Sequence, residues 1–263
     1  MNLSPIYAPV QSLIDGTEAE ISRLIRDFGE PEVHEVLRHF LSHRGKRIRP
    51  ALLFLAACAG NPAAHPTPIP LVKAATAFEL VHSASLVHDD IIDAADSRRG
   101  APTVNGKFGN TVAVLAGDIL YAQAFLMLSG DVPTFRIILD VTKHMCMGEI
   151  HQLRISSMTE ELYFKIMEYK TAHLMSACCE VGATMTGSSP EAVVALRNFG
   201  RYFGFLYQLV DDWQDGDAPL ENYHFAGQIE RYRILTQDCL KNLPDSPCKT
   251  ALHEFVEQLA ASN

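Results

Sequence analysis

The sequence is short of basic residues. Lysine and arginine together number 22 against 31 aspartates and glutamates, a formal charge of −9 over 263 residues. That balance argues against a nucleic-acid binder, which needs a basic face. The six cysteines, at 58, 146, 178, 179, 239 and 248, include no C-x-x-C pair. Neither a disulfide framework nor a thiolate zinc site is indicated, and free cysteines in a reducing cytosol are the expectation. The start, MNLSPIYAPVQSLIDG, has no basic stretch leading into an apolar one, so no signal peptide is expected there. Apolar runs are short: the longest, from Ala51 to Gly60, cannot span a bilayer. The stretch Val112 to Leu128 carries Asp118 and Gln123 and reads as a buried helix, so no membrane span is expected. Strict apolar–polar alternation is scarce, which disfavours sheets. Disorder is excluded by 48% hydrophobic and 20% charged content.

Helical spacing is what the chain has in quantity. It predicts helices over 10–28, 31–43 and 50–59, with Gly45 and Pro50 bracketing a basic connector. Four prolines between 61 and 70 make a loop. A long helix should run from about 70 to 95, started by Pro70, with further helices near 108–129, 133–156, 159–187, 190–213 and 225–243. There is no internal repeat and no linker, so residues 1–263 read as one all-α domain of roughly ten helices.

The acid is unevenly placed. Asp89, Asp90, Asp93 and Asp96 form one cluster; Asp211, Asp212, Asp215 and Asp217 form another. Without those eight, the remaining charges nearly cancel. Asp89 and Asp93 are four residues apart and share a helix face, as do Asp211 and Asp215. Each D-D-x-x-D follows an apolar helical stretch and falls near a predicted helix C-terminus, where the macrodipole disfavours negative charge. One such cluster would be read as a solvated helix end. Two copies about 120 residues apart point to oxygen ligation of Mg²⁺, which commonly bridges carboxylates to a substrate phosphate.

Cations stand where a bound diphosphate would need them. Lys46, Arg47 and Arg49 lie in the connector, Arg98 and Arg99 follow the first cluster, and Lys170-Thr171 lies in a predicted helix. His82 is two helical turns before Asp89. Each alone has a bland reading as a surface connector, a helix cap or a core histidine; the combination carries the argument.

These residues resemble the signature blocks of the trans-prenyltransferases, the polyprenyl diphosphate synthase family. Gly45-Lys-Arg-Ile-Arg-Pro50 resembles its G-K-R-x-R-P run, and Glu79 through Asp93 with Arg98-Arg99-Gly100 its first aspartate-rich motif. Gly148-Glu149 with Gln152, Lys170-Thr171-Ala172, and Phe203-Gly204 through Asp215 match later blocks in order, so the similarity covers about 35 to 217. The resemblance implies an isoprenoid-synthase-type bundle of antiparallel helices around a central cavity, usually a homodimer. It implies condensation of isopentenyl diphosphate with an allylic diphosphate. By position, Lys46, Arg49, His82 and Arg99 would hold isopentenyl diphosphate, and Arg98, Lys170, Thr171 and Gln208 the allylic substrate. Asp89 and Asp93, supported by Asp90, would ligate two Mg²⁺ ions, and Asp211, with Asp212 and Asp215 nearby, a third. Asp89, Asp90, Asp93, Arg98, Lys170 and Asp211 would carry the chemistry. Family members with short products often place a bulky aromatic four or five residues before the first aspartate. Ala84 and Ser85 stand here, and Ala77 further back is also small, so a product of C20 to C40 is expected.

The tail departs from the family pattern. Only 48 residues follow Asp215, residues 216 to 240 hold no lysine, and Arg44 replaces a common glycine. Three other readings stay open: a subunit of a heteromeric synthase, a class I terpene cyclase, and a catalytically silent subunit. The cyclase would not need Lys46, Arg49 and Arg99, and silent subunits tend to lose aspartates that this chain keeps.

Overall fold

The computed structural model describes residues 2–43, 45–64, 67–98, 100–216, 220 and 223–262. Arg44, Arg99 and Asp217 lie outside the described residues. The chain opens with a short helix α1 (Ser4–Tyr7) and a 3₁₀ turn (Ala8–Val10), followed by α2 (Gln11–Asp27), α3 (Pro31–Leu41), α4 (Ile48–Gly60) and α5 (Pro68–Ile92). Strands β1 (Ser97–Arg98) and β2 (Ala101–Pro102) pair antiparallel. Then come α6 (Val104–Phe108), α7 (Asn110–Leu128), α8 (Val132–Leu153), α9 (Glu160–Met167), a π-helical turn (Glu168–Ala172), α10 (His173–Met185), α11 (Pro190–Asp215), α12 (Phe225–Asp238) and α13 (Pro247–Ala260). The all-α expectation holds. With α9, the π turn and α10 taken as one interrupted rod, the long helices among the described residues number ten.

Local chemistry sets the boundaries. Proline sits in the first turn of α5, α8, α11 and α13, where its missing N–H costs nothing. Ser189 and Ser246 accept backbone N–H bonds from Ala192 and Lys249, capping α11 and α13. Gly216, at φ 75°, ends α11 in the left-handed conformation that glycine adopts most easily. Three sequence expectations need correction. The helix expected over 159–187 is interrupted by the π turn. Helix α12 stops at Asp238 rather than 243. Helix α13 was not foreseen, although Ala251, Leu252, Phe255, Val256 and Leu259 give it a buried stripe at helical spacing.

Helix α4 is apolar almost all round and forms the centre of the bundle, packed against α5, α10 and α13. Its contact with α10 is close because Gly182 has no side chain; a Cβ there would collide with the Leu53 carbonyl oxygen. Helix α7 differs from its sequence reading as a buried helix. It packs Ala113, Ala116, Gly117, Leu120 and Ala124 inward, largely against α5. It leaves Val114, Leu115 and Leu126 in solvent, and its most apolar 18-residue window is only 33% buried. By length and composition α7 could cross a membrane. Its inward small-residue face shows that its role within this fold is packing on one side.

Gly182→Ala would add about 1 kcal/mol of helix propensity, yet it would force α4 and α10 apart. A net loss of about 1–3 kcal/mol is expected, read as a lower urea midpoint. An unchanged or higher midpoint would show that this close approach is not required.

Candidate active site

The last turns of α5 and α11 converge with the start of α4 and the π turn around a cavity of about 550 Å³. The connector before α4 contributes Lys46, and α4 itself contributes Arg49. Helix α5 contributes His82, Ser85 and Asp89, with Asp93 at its C-cap. Strand β1 brings Arg98, the π turn Lys170 and Thr171, and α11 Gln208 and Asp211. Residues from 46 to 211 thus line one space, with Asp89 and Asp93 of the first motif and Asp211 of the second among them.

Each position has a local cause. Asp89 lies seven residues after His82 and four after Ser85, so all three recur on one side of α5. The π turn inserts an extra residue into the rod, and single π turns of this kind are frequent at functional sites. It carries the adjacent Lys170 and Thr171 to the same cavity wall. The connector is fixed by Arg47, which has a left-handed backbone (φ 53°) and a guanidinium buried between two carboxylates. Its Nε donates to Glu18 at 2.6 Å and its Nη1 to Glu79 at 2.8 Å. The Tyr7 hydroxyl donates to the Lys46 carbonyl at 2.7 Å. Lys46 and Arg49 therefore reach the cavity from a clamped segment.

The carboxylates are held against their preference. Burial, reinforced by Glu149 and Asp93, pushes the Asp89 carboxyl up to about 6 despite the nearby Lys170 and Arg98. Burial, then Asp215 and Asp212, also raises Asp211, with Lys46 acting the other way. Hard oxygen donors with an unmet negative charge are the donor set that Mg²⁺ prefers. Among the described residues, no three carboxylates of the two motifs lie within 4.8 Å of one another. The motifs face each other across a space, and a ligand's own oxygens would complete any metal shell.

Not every predicted residue faces this space. Asp90 is buried behind it, accepting from Arg98 Nε at 2.8 Å, so it steadies the arginine rather than lining the cavity. Asp212 accepts from Gln208 Nε2 at 2.8 Å and, through a short bond, from the Tyr163 hydroxyl. Gln208 in turn accepts from Thr171 Oγ1 at 2.9 Å. Asp215 is exposed at the end of α11 and is not on the cavity wall. Ala84 is packed in the core, whereas Ser85 faces the cavity. Arg99 lies outside the described residues.

Sequence reasoning assigned no role to Glu149, Tyr163 or the Arg47 clamp. Glu149 lies 2.5 Å from Lys170 Nζ, which also donates to Gln152 at 2.8 Å. Its signal was the Gly148-Glu149…Gln152 block. Tyr163 gave none, because nothing in the sequence couples α9 to the end of α11. A second, mostly apolar cavity of about 250 Å³ adjoins the first and shares Ser85, Asp89 and Lys170 with it. Tyr121, Met145, Ile150 and Leu153 line it, so a charged chamber opens beside a greasy one.

Comparison with known proteins agrees with this arrangement. The polyprenyl synthetase family model matches residues 30–223. The chain is 36% identical over 198 residues to octaprenyl diphosphate synthase of Escherichia coli (strain K12); the match covers 72% of this chain and 59% of that protein. It is 34% identical over 221 residues to heptaprenyl diphosphate synthase component 2 of Geobacillus stearothermophilus, covering 82% and 67%. The solved geranylgeranyl pyrophosphate synthetase of the archaeon Geoglobus acetivorans superposes with a TM-score of 0.84 at 25% identity, covering 95% of this chain and 99% of that one.

The raised Asp89 gives a pH signature. In the unfolded chain this carboxyl ionises near 3.8, in the folded one near 6. Its folded-state advantage is therefore present below about pH 4 and is lost as the pH rises through 6. Asp89→Asn should stabilise the metal-free protein by about 3 kcal/mol at pH 7, with the gain vanishing below pH 4. A pH-independent difference would show that Asp89 is not charged at a cost.

Proposed function

We propose that this chain, which belongs to the polyprenyl synthetase family, condenses isopentenyl diphosphate with an allylic diphosphate to extend an all-trans prenyl chain. The observation that carries this reading is the convergence of Asp89 and Asp93 from one aspartate motif, Asp211 from the other, and the intervening cations on one cavity that adjoins an apolar one.

Lys46, Arg49 and His82 would grip the diphosphate of the isopentenyl substrate, joined by Arg99 as the family pattern implies. Lys170 and Arg98 would hold the allylic diphosphate on the opposite wall. Asp89, Asp93 and Asp211 would hold Mg²⁺, three ions by the family pattern, which would supply Lewis-acid neutralisation of the leaving diphosphate. The carbon–oxygen bond of the allylic substrate would then break, its positive charge developing beside an apolar extension that the bound chain would fill in place of water. The double bond of isopentenyl diphosphate forms the new carbon–carbon bond. The proton that must leave passes to the released diphosphate, so no protein base is required. The Thr171–Gln208–Asp212–Tyr163 chain would keep the second aspartate motif in place while charge moves. The growing hydrocarbon would descend past Ser85 toward Met145 and Leu153, and the small Ser85 on that path supports a product of C20 to C40.

A second reading is that the chain is the catalytic subunit of a heteromeric synthase. It is supported by the likeness to a protein named as component 2 and by the unpartnered apolar face of α7. That face would equally serve a homodimer.

The test is an assay of the purified chain with Mg²⁺, labelled isopentenyl diphosphate and each allylic primer. Products of C20 to C40 are expected, and Asp89→Ala or Asp211→Ala should lower turnover by at least about 100-fold. Product formed only after a partner subunit is added would establish the heteromeric reading. No product in either case would overturn both.

A further inference from the structure

A separate set of ligand-type side chains lies where α8 meets the start of α10, on neither cavity wall. Asp140 and His144 are one turn apart on α8, and His173 is the first residue of α10. One donor atom from each lies within 4.8 Å of the others. Asp140 Oδ2 is 3.2 Å from His144 Nδ1 and 3.7 Å from His173 Nε2. Its other oxygen is held by Lys143 Nζ at 2.6 Å. The two imidazoles stack with centroids 4.6 Å apart and planes at 24°.

We propose that Asp140, His144 and His173 form a binding site for a borderline transition-metal cation of the Zn²⁺ type. Two imidazoles and one carboxylate, with room for water, suit zinc and its neighbours far better than Mg²⁺. The site is thus chemically distinct from the all-carboxylate walls of the cavity.

Its supporting contacts are those that metal-binding histidines use. His144 Nδ1 also lies 2.8 Å from the Asp140 carbonyl oxygen, a contact that holds the ring beside the carboxylate. The Tyr169 ring stands edge-on to His144 at 4.9 Å and limits its rotation. Burial and the adjacent His144 hold His173 below the ordinary histidine range, so it is neutral and ready to ligate near pH 7. Nearby Glu168 and Arg201 pair with each other at 2.8 Å and add no net charge. The cation would bridge α8 to α10 immediately after the π turn, with water completing its shell.

Cobalt(II) is the probe, because its visible absorption reports imidazole ligation directly. Titration in excess Mg²⁺, which competes for all-oxygen sites but not for imidazole, should reveal one equivalent of Co²⁺ per chain, and Zn²⁺ should displace it. His173→Ala and Asp140→Asn should each weaken binding by more than the roughly 10-fold lost with a supporting group. All three side chains are at least partly solvent-exposed, so the metal-free melting curves of the variants should match that of the wild type. Asp140→Asn, nearly isosteric, serves if an alanine variant folds poorly. Absence of saturable Co²⁺ binding in the wild type, or equal isotherms in wild type and variants, would overturn the site.

Discussion

Mutual repulsion among aspartates at the ends of two facing helices is the constraint on which this structure turns. Helices α5 and α11 both finish in D-D-x-x-D, where the negative pole of each helix already opposes further negative charge. Partial burial compounds the problem, pushing Asp89 up to about 6 and raising Asp211 from its ordinary value. A fold that only needed stability would not place these groups there. The arrangement becomes favourable when divalent cations and an anionic substrate arrive together. Until then the nearby cations rest on other partners: Arg98 on Asp90 and Lys170 on Glu149.

Holding such a site open requires rigid supports behind it. Arg47 is the clearest. Its guanidinium is removed from water between Glu18 and Glu79, and losing one partner of such a pair typically costs about 3–5 kcal/mol. Its left-handed backbone turns the chain so that Lys46 and Arg49 reach the cavity from either side of it. On the other wall, Tyr163 and Gln208 fix Asp212, and through it the end of α11. These residues contribute to function by position rather than by contact with a reacting atom.

Much of this was legible in the sequence because helical periodicity and caps are local signals. The boundaries of α2, α3, α4, α5 and α11 follow from apolar spacing, first-turn prolines and Gly216. The site was legible for a related reason: four-residue spacing places Asp89 with Asp93 before any tertiary contact is known, although the same spacing did not bring Asp215 to the wall beside Asp211. What stayed hidden was non-local. Periodicity does not show that Asp90 turns away to hold Arg98, that Arg47 is buried while its neighbours are not, or that Tyr163 reaches Asp212 from 49 residues away. The π turn was hidden because inserting one residue leaves hydrophobic spacing almost intact. Helix α7 misled because its apolar composition signals burial on all sides, and the fold buries one.

The charge of −9 is therefore not a general surface property. It is concentrated at two helix ends, and the three aspartates on the cavity wall leave a deficit that metal and diphosphate together would fill. Calorimetric titration of Mg²⁺ with and without inorganic diphosphate tests this most directly. The account predicts that several Mg²⁺ ions bind tightly only when diphosphate is present, and that Asp89→Asn combined with Asp211→Asn abolishes the coupling. Diphosphate binding that is indifferent to Mg²⁺, or coupling that survives both substitutions, would contradict it.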